Sequence, residues 1–347
     1  MLRLTILTPF AAPSVRGNAI TVERIVRGLR ERGLSVRMRD LHTMPESLIE
    51  DEVECDQPAL IHAFHAYRVG PLALRLARRL EVPLVVTLTG TDANHDLFDP
   101  ERAAVVRRVL EGAAAVTAFD GSIVDRVAAA LPDLQSRLVV VPQAVRFESS
   151  APFDLAGRWP LPADRVLFVL PGGIRPVKAP RTALAGLDPV VAVDPRVRLL
   201  LAGPVLDADE GAALERDLAV RPWARHIGAV PHAEMPSLLA LADVVLNCSI
   251  SEGGMPNSLL EALALARAVL AADIPGNRAV VEDGVTGLLF ADVPALAAHA
   301  TRLARDPTLR IRLGTAGRAL VEAKYPPARE LDGYAAVYRR VVPVVSA

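Results

Sequence analysis

Twelve short apolar segments alternate with helix-length segments through this chain of 347 residues. The short segments are rich in Val, Leu, Ile and Ala, which is typical of strands buried on both faces of a sheet. They lie at 2–7, 36–41, 60–64, 84–88, 114–118, 138–141, 166–170, 197–202, 226–229, 244–248, 269–272 and 287–290. Strands that alternate with helices in this way predict parallel sheets in an α/β fold.

The twelve segments form two sets of six, separated by residues 147–164. Ser, Pro and Gly interrupt the periodicity there, as they do in interdomain connections. We therefore expect two doubly wound, Rossmann-like domains, over 1–155 and 156–328, and a last helix at about 329–347 that can pack back on the first. Two facing domains of this kind bind a ligand in the cleft between them, at the carboxyl ends of both sheets. Functional side chains are therefore expected in the loops that follow strands.

Charge and cysteine content narrow the classes of function. The 39 Lys and Arg residues balance the 40 Asp and Glu residues, and neither half of the chain has the basic excess that nucleic-acid binding favours. Two isolated cysteines, Cys55 and Cys248, suit a reducing cytoplasm rather than a disulfide scaffold. The sequence shows no signal-peptide pattern and no membrane-spanning apolar run. Arginines near 75–79 and 102–108 leave peripheral contact with a membrane surface open.

Polar residues follow the first and fourth predicted strands. Gly17 lets the backbone approach a ligand, and Asn18 can cap the first helix and leave amides for an anion. An ordinary capped turn would look the same, and the Gly-x-Gly-x-x-Gly pattern of nicotinamide-binding folds is missing. Thr89, Asp92 and His95 bring a hydroxyl, a carboxylate and an imidazole to the fourth loop. They are candidates for contacts with a sugar or an acceptor.

The loop after the seventh strand contains the first lysine of the chain, which has 37 arginines and only two lysines, Lys178 and Lys324. Gly172 and Gly173 expose backbone there. Arg175 and Lys178 lie three residues apart before a helix, where both side chains can reach a diphosphate. No Walker A sequence is present, and a solvated basic turn is the alternative.

The loop after the tenth strand combines glycines, a proline and two glutamates. Pro256 fits the first position of a helix, and the glycines before it leave amides accessible. Glu261 lies among apolar residues, so it needs a partner, which ribose or sugar hydroxyls or a backbone amide would supply. The candidate ligand contacts here are Glu252, Gly253, Gly254, Met255, Pro256, Asn257 and Glu261.

The sequence gives little support to metal or nucleophile chemistry. His62 and His65 lie three apart near a strand end, where side chains alternate between faces, so they do not predict a metal pair. No Gly-x-Ser-x-Gly elbow occurs, and neither cysteine lies in an electropositive motif. We therefore expect a site without a metal or a covalent nucleophile.

Three segments in this order resemble the landmarks of one protein family. Residues 172–178 contain Gly-x-Arg-x-x-Lys, residues 252–262 carry a glutamate on each side of a glycine-proline turn, and residues 282–289 have the sequence Glu-Asp-Gly-Val-Thr-Gly-Leu-Leu. With them, nearly the whole chain resembles the retaining glycosyltransferases of family 4. Their GT-B fold consists of two facing Rossmann-like domains.

The resemblance implies an activity and residue roles. Arg175 and Lys178 would hold the diphosphate of a nucleotide-sugar donor, most commonly UDP-linked, and Glu261 its ribose. Glu252 and the amides after it would contact the transferred hexose or N-acetylhexosamine, and Gly17 would approach the phosphate from the first domain. The reaction would retain the anomeric configuration and require no metal or other cofactor. The acceptor would be a small molecule or a glycan.

Two positions depart from the family pattern. Eight residues separate Glu252 from Glu261, where the family usually has seven, so the extra glycine bears on the role of Glu252. Thr89 stands where many members have a histidine, and His95 is a candidate substitute.

Three other functions share these features. A sugar-nucleotide epimerase would use the same phosphate site with no acceptor, and a nucleotide-sugar binding protein would show no turnover. Segments 16–21, 89–92 and 274–277 resemble one animal branch of the family. The same signatures are similar to selenosugar synthases, so a sulfur or selenium acceptor is the third alternative.

Overall fold

The structure, a computed structural model, describes residues 2–11, 17–147 and 151–342. The chain forms two compact units. The first comprises Met1–Ala144 with Pro327–Ala347, and the second comprises Val145–Pro326. Within the described residues each unit has a six-stranded sheet whose strand pairings are all parallel. The α/β fold predicted from the alternation of strands and helices is confirmed.

The described part of the first unit contains six strands and six α-helices. They are β1 (Arg3–Thr8), α1 (Gly17–Glu31), β2 (Ser35–Asp40), α2 (Glu46–Asp56), β3 (Leu60–Phe64), α3 (Gly70–Arg79), β4 (Leu84–Thr87), α4 (Ala103–Glu111), β5 (Ala115–Ala118), α5 (Gly121–Ala130), β6 (Leu138–Val140) and α14 (Pro327–Val341).

The second unit continues the same alternation. Its elements are α6 (Leu155–Arg158), β7 (Val166–Pro171), α7 (Pro180–Val193), β8 (Val197–Ala202), α8 (Ala208–Leu218), β9 (Ala224–His226), α9 (Met235–Leu241), β10 (Val244–Asn247), α10 (Asn257–Ala264), β11 (Ala268–Ala272), α11 (Pro275–Arg278), β12 (Leu288–Phe290), α12 (Val293–Arg305) and α13 (Pro307–Lys324).

Each sheet has one point where its strand order reverses. The order is β2-β1-β3-β4-β5-β6 in the first unit and β12-β11-β10-β7-β8-β9 in the second. The reversal falls between β1 and β3, and between β7 and β10. Crossovers leave such a point in opposite directions, which opens a crevice at the carboxyl ends of the two strands. The loops after β7 and β10 therefore lie at the crevice of the second sheet.

Burial on both faces explains why the strands were recognisable in the sequence. All residues of β3 and β11 are buried, whereas β6, at the edge of its sheet, is not. Helices cover both faces of a parallel sheet, so central strands are apolar throughout rather than alternating.

Eleven of the twelve strands begin and end within one residue of the predicted limits. The ninth differs, because it was predicted at 226–229 and lies at Ala224–His226. Gly228 has a φ of +73°, a conformation that glycine adopts readily and that turns the chain out of the sheet. Residues 227–229 therefore belong to the turn.

The boundary between the units lies after Ala144, earlier than the expected residue 155. The Ala151 amide donates to the carbonyl of Ala233 over 2.7 Å, and the Ser237 hydroxyl donates to the carbonyl of Ala151 over 2.7 Å. These bonds attach the proline- and glycine-rich stretch to the second unit. Composition marks such a connection but does not show which unit it packs against.

The last helix, α14, packs on the first sheet through buried tyrosines. Tyr334 and Tyr338 are buried, and the Tyr338 hydroxyl lies 2.8 Å from His62 Nδ1. His62 Nε2 lies 2.7 Å from Thr87 Oγ1, which lies 2.6 Å from Thr117 Oγ1. Because buried polar groups are costly unless they are paired, this chain of hydrogen bonds specifies where the helix docks.

A buried ion pair fixes the same helix to α1. Glu330 on α14 accepts hydrogen bonds from Arg24 Nε over 3.0 Å and from Arg24 Nη2 over 2.8 Å. The side chains are only 2% and 9% exposed. A buried pair of this kind contributes little to stability by comparison with apolar packing. Loss of one partner is costly, because the other charge stays buried without its counter-charge.

Arginines of α3 are paired with glutamates of α2. Arg75 Nη2 lies 2.7 Å from Glu46 and 3.0 Å from Glu50, and Arg79 Nη2 lies 3.4 Å from Glu50 and 2.6 Å from Glu54. These charges are balanced within the unit, which weakens the case for an anionic membrane surface as their partner. No helix in the described part of the chain is long and apolar enough to cross a bilayer.

Replacing Glu330 with Ala should destabilise the first unit, because Arg24 would stay buried without its carboxylate. We expect a loss of about 3–5 kcal/mol in the free energy of unfolding, and a smaller loss for Glu330→Gln, which keeps a hydrogen-bond acceptor. Both tryptophans, Trp159 and Trp223, lie in the second unit. In urea, far-UV circular dichroism should therefore show an early transition that tryptophan fluorescence lacks. A urea unfolding curve of Glu330→Ala that matches the wild type by circular dichroism would contradict the prediction.

Acid should destabilise the protein through His62. Burial lowers the pKa of His62 from 6.5 to about 3, so the unfolded chain binds a proton below pH 6.5 that the folded chain does not take up until about pH 3. His62 therefore does not lower the free energy of unfolding above pH 6.5. Below that pH it lowers the free energy of unfolding by about 1.4 kcal/mol per pH unit. Urea unfolding at pH 7, 6 and 5 should show a steeper loss for the wild type than for His62→Gln. Parallel losses would show that another group is responsible.

Candidate functional site

The loops after β7 and β10 are joined by two direct contacts. The Ile250 amide donates to the Val177 carbonyl over 3.0 Å, and Lys178 Nζ lies 2.5 Å from Glu252 Oε1. The structure thus brings together two loops that the sequence analysis singled out separately.

Glycine is required for the shape of the first loop. Gly172 has a φ of +143°, which L side chains rarely adopt, and its amide donates to the Ala202 carbonyl over 2.8 Å. A Cβ at Gly203, the residue after β8, would overlap the carbonyl group of Gly172. No atom of the described residues lies within 4 Å of where a Gly172 Cβ would be. The loop therefore lies close against its neighbour on one side and leaves room for a ligand on the other.

A short 3₁₀ turn, Pro176–Lys178, leads from this loop to α7. The Lys178 amide donates to the Arg175 carbonyl over 3.0 Å, so the two basic residues stand at either end of the turn. The helix begins at Pro180, one residue after the predicted start near Ala179, because Ala179 has a left-handed φ of 42°. The positive end of the α7 dipole favours an anion near these cations.

Glu252 is held by three donors that converge on one of its oxygens. Oε1 accepts from Lys178 Nζ over 2.5 Å, from Ser249 Oγ over 2.7 Å and from Asn247 Nδ2 over 3.0 Å. The Asn247 Oδ1 accepts in turn from the Ser249 amide over 2.9 Å. The sequence analysis did not name Asn247 or Ser249 as candidate site residues. The one indication in the sequence is that Asn247 is a polar residue at the end of a buried strand.

These partners determine the charge of Glu252. Burial by itself raises the pKa of this carboxyl, but the adjacent Lys178 and the hydrogen bonds from Lys178, Ser249 and Asn247 outweigh it and hold the pKa below its usual value. Glu252 is therefore ionised at neutral pH. The site carries a fixed carboxylate next to an ammonium whose side chain is 20% exposed.

The short helix α11 supports the Glu252 loop from one side. A Cβ at Gly276 would lie 2.5 Å from the Gly254 carbonyl oxygen and 2.7 Å from Glu252 Cβ, closer than real side-chain contacts. Asn277 is fully buried, and its Nδ2 donates to the Ala272 carbonyl over 2.8 Å. Because the helix is held in this way, the close approach at Gly276 limits where Glu252 can lie.

The second glutamate lies on the helix that follows. Glu261, on α10, is 8% exposed, and Met255 and Pro256 are also buried, whereas Gly253 and Asn257 are partly exposed. Pro256 precedes α10 instead of occupying its first position, because its ψ of 125° is extended. The proposed contact of Glu261 with ribose stays a prediction.

In the first unit, the loop after β4 is organised around Asp92. This residue is fully buried, and its carboxylate accepts from four backbone amides, those of Ala66, Thr89, Gly90 and Ala93. The carboxylate therefore shapes the loop and ties it to the loop after β3. Thr89 is partly exposed and His95 is exposed, so these two side chains are accessible to a ligand.

His65 follows β3 in a conformation that the sequence did not indicate. Its φ is +103°, which is strained for a residue with a Cβ. Nδ1 accepts from the amides of Tyr67 and Arg68 over 3.2 and 3.3 Å, so the ring proton lies on Nε2. Burial lowers the pKa of His65, although Asp92 lies 3.8 Å and Asp96 4.0 Å away. The ring thus acts as a neutral acceptor that holds a turn.

The remaining predictions concern the first loop and a metal. Helix α1 begins at Gly17, with Asn18 in its first turn, but residues 12–16 lie outside the described ranges, so a phosphate contact there stays a prediction. Among the described residues no group of three or more His, Cys, Asp or Glu side chains could hold a metal ion.

Two family models cover most of the chain. Residues 2–149 match the model described as Glycosyltransferase Family 4, and residues 164–306 match the one described as Glycosyl transferases group 1. A D-inositol 3-phosphate glycosyltransferase of Frankia alni is 32% identical over 289 residues, which is 75% of this chain and 69% of that protein. The chain belongs to the family 4 glycosyltransferases. The family resemblance of its motifs is confirmed.

Other relatives of this glycosyltransferase support its fold and its branch. Glycosyltransferase 1 domain-containing protein 1 of Xenopus tropicalis is 28% identical over 324 residues, 92% of each chain, and represents the animal branch that segments 16–21, 89–92 and 274–277 resemble. Anabaena HepE, solved with UDP and glucose, has a TM-score of 0.82 at 17% identity, covering 98% of this chain and 100% of that one. Sucrose-phosphate synthase of Thermosynechococcus elongatus has a TM-score of 0.78 at 19% identity, covering 97% and 98%. The expected GT-B fold is confirmed.

Replacing Gly276 with Ala should displace the Glu252 loop, because the added methyl group would overlap the Gly254 carbonyl. Overpacking of this kind costs about 1–3 kcal/mol, so the variant should melt several degrees below the wild type. Gly121→Ala is the matched control, since no atom of the described residues lies within 4 Å of the added methyl. Wild-type melting of Gly276→Ala would show that the loop accommodates the methyl group.

Proposed function

We propose that this glycosyltransferase transfers a hexose or N-acetylhexosamine from a UDP-sugar to a small-molecule or glycan acceptor, with retention of configuration and without a metal. The observation that carries the proposal is the pairing of Lys178 with the fixed carboxylate of Glu252 at the switch point of the second sheet. A cation that can bind a diphosphate, Lys178, therefore lies next to a carboxylate, Glu252, that can accept hydrogen bonds from sugar hydroxyls.

The diphosphate of the donor binds at the loop after β7. Arg175 offers a planar fork and Lys178 a compact charge, so the two suit different phosphate oxygens. The backbone of Gly172 and Gly173 and the first turn of α7 supply amides and a favourable dipole.

The sugar and ribose bind at the loop after β10. Glu252 accepts hydrogen bonds from sugar hydroxyls, and the amides of residues 253–257 contact the ring. The three hydrogen-bond donors to Glu252 support this role, because they keep its carboxylate charged and fixed before the sugar binds. The extra glycine between the two glutamates is accommodated by Gly254 at a φ of +121°. Glu261 accepts from the ribose hydroxyls.

The reaction is a displacement on one face of the sugar. The bond between the anomeric carbon and the β-phosphate oxygen breaks with its electron pair going to that oxygen, the acceptor atom bonds to the anomeric carbon, and its proton passes to the phosphate. Arg175 and Lys178 stabilise the growing negative charge.

The chemistry of the nearby groups disfavours a covalent intermediate. Burial raises the pKa of the Cys248 thiol to about 12, so it is not a nucleophile at neutral pH. Glu252 is already engaged by three donors, which lowers its nucleophilicity. Direct displacement with retention therefore suits this site better than double displacement.

The proposal of UDP as the donor nucleotide draws on structural relatives. Anabaena HepE was solved with UDP and glucose and with UDP-glucose, and these structures align with TM-scores of 0.82 and 0.80. They support UDP over GDP or ADP as the leaving group.

Thermal melting with UDP, GDP, ADP and NAD at equal concentration tests the donor site and its residues together. We expect UDP to raise the melting temperature equally with EDTA and with Mg²⁺, by the several degrees that about 2.7 kcal/mol produces when a ligand is present at about 100 times its Kd. Lys178→Ala should lose most of this shift, because a hydrogen bond to a charged group contributes about 1.5–3 kcal/mol.

Lys324→Ala is the matched control, because it removes the other lysine, exposed at the end of α13, and should keep the full shift. An equal UDP shift in Lys178→Ala would remove this residue from the diphosphate site. No shift with any nucleoside diphosphate would contradict the donor assignment. Product mass with oxygen, thiol and selenol acceptors then identifies the acceptor class, and isomerised donor without an acceptor would indicate an epimerase.

A further inference from the structure

The Lys178–Glu252 ion pair places a negative charge beside the cation that is proposed to bind the diphosphate. Lys178 Nζ lies 2.5 Å from Glu252 Oε1. On the basis of the proposed function, we propose that Glu252 makes the site select the nucleotide sugar over the free nucleoside diphosphate, and thereby promotes release of the nucleoside diphosphate product.

Geometry places any phosphate held by Lys178 near this carboxylate. A charge-assisted hydrogen bond from an ammonium is about 2.8 Å long. A phosphate oxygen bonded to Nζ therefore lies no farther than 2.5 Å plus about 2.8 Å, or about 5.3 Å, from Glu252 Oε1. Two negative charges at that distance repel strongly in a partly buried site.

The reaction raises the charge at this position. The diphosphate of a nucleotide sugar carries two negative charges, one on each phosphate. When the sugar leaves, the β-phosphate oxygen keeps the electron pair and receives the acceptor's proton. That proton passes to water at neutral pH, because the second pKa of such a phosphate is about 6. The product therefore carries a third negative charge, on the β-phosphate, which in the donor bears the sugar that Glu252 is proposed to hold.

The surroundings of Glu252 prevent it from avoiding this repulsion. When Lys178 also donates to a phosphate, Ser249 and Asn247 still donate to Oε1 over 2.7 and 3.0 Å, so the carboxylate stays hydrogen-bonded and in place. The close approach of Gly276 to Glu252 Cβ also blocks retreat of the loop. The ammonium has three N–H donors, so Lys178 can bind a phosphate while it stays paired with Glu252, and the negative charge stays where it is.

Lys178 and Glu252 thus affect the binding of the nucleotide sugar and of the free nucleoside diphosphate differently. Lys178 attracts both, whereas Glu252 opposes the additional charge of the product and accepts hydrogen bonds from the sugar of the donor. Glu252 is on this basis a specificity-determining residue as well as a sugar contact.

Calorimetric titration with UDP and with the methyl ester of its β-phosphate isolates the charge effect. The ester has no sugar ring and carries one negative charge fewer than UDP at pH 7.5. We expect Glu252→Gln to strengthen UDP binding relative to ester binding by at least about tenfold compared with the wild type. Lys324→Ala should leave the ratio of the two dissociation constants unchanged. An unchanged ratio in Glu252→Gln would overturn the proposal.

The wild-type protein provides a test that needs no variant. Its affinity for UDP should rise as the pH is lowered from 7.5 to 5.5, where the terminal phosphate gains a proton, while its affinity for the ester should stay constant. A UDP affinity that is flat or falls over this range would overturn the proposal even if Glu252→Gln fails to fold. If neither ligand binds the wild type, the donor assignment itself fails, and the role of Glu252 fails with it. Binding of both with pH-independent affinities overturns the role of Glu252 alone.

Discussion

Parallel strand pairing is the constraint from which the rest of this structure follows. Every described strand of a unit ends at the same edge of its sheet, and helices cover both faces, so the crevice that binds ligands in such folds lies among the loops at that edge. Reversal of strand order between β7 and β10 then opens one crevice among those loops. The residues 172–178 and 249–257 are far apart in sequence and adjacent in space for this reason.

The sequence was sufficient for eleven of the twelve strands and for singling out the loops after β7 and β10, which the structure brings together. Buried parallel strands are continuous apolar runs, and loops that carry Arg175, Lys178 and Glu252 differ in composition from ordinary turns. What it could not show are contacts that depend on close packing. Gly276 supports Glu252 because two backbones approach each other, and nothing in the local sequence records that neighbour.

Other features depended on long-range partners. Asp92 was predicted as a candidate ligand contact; its carboxylate accepts from backbone amides of two loops, and a ligand contact there stays a prediction. The proline- and glycine-rich connection was recognised, but its packing on the second unit moved the boundary to Ala144. In each case the residue type was informative, and its role was set by residues distant in the chain.

Two ion pairs in the described part of the chain differ in their surroundings. Arg24 and Glu330 are 9% and 2% exposed and hold α14 against α1, and Arg24 Nη2 also donates to Gln143 Oε1 over 3.4 Å. Lys178 is more exposed than Glu252, at 20% against 10%, and only its partner has additional donors from the same loop. An ammonium has three N–H donors, so Lys178 can bind a ligand and stay paired with the anchored Glu252.

The scarcity of lysine gives this site an unusual chemical visibility. Of the two lysine side chains, one lies in the loop after β7 against Glu252 and the other is exposed at the end of α13. An amine-directed acylating reagent can therefore modify one lysine side chain inside the candidate site and one outside it. The extent of acylation of Lys324 serves as an internal standard for that of Lys178. Peptide mass spectrometry of the acylated protein would report the occupancy of the site without any engineered label.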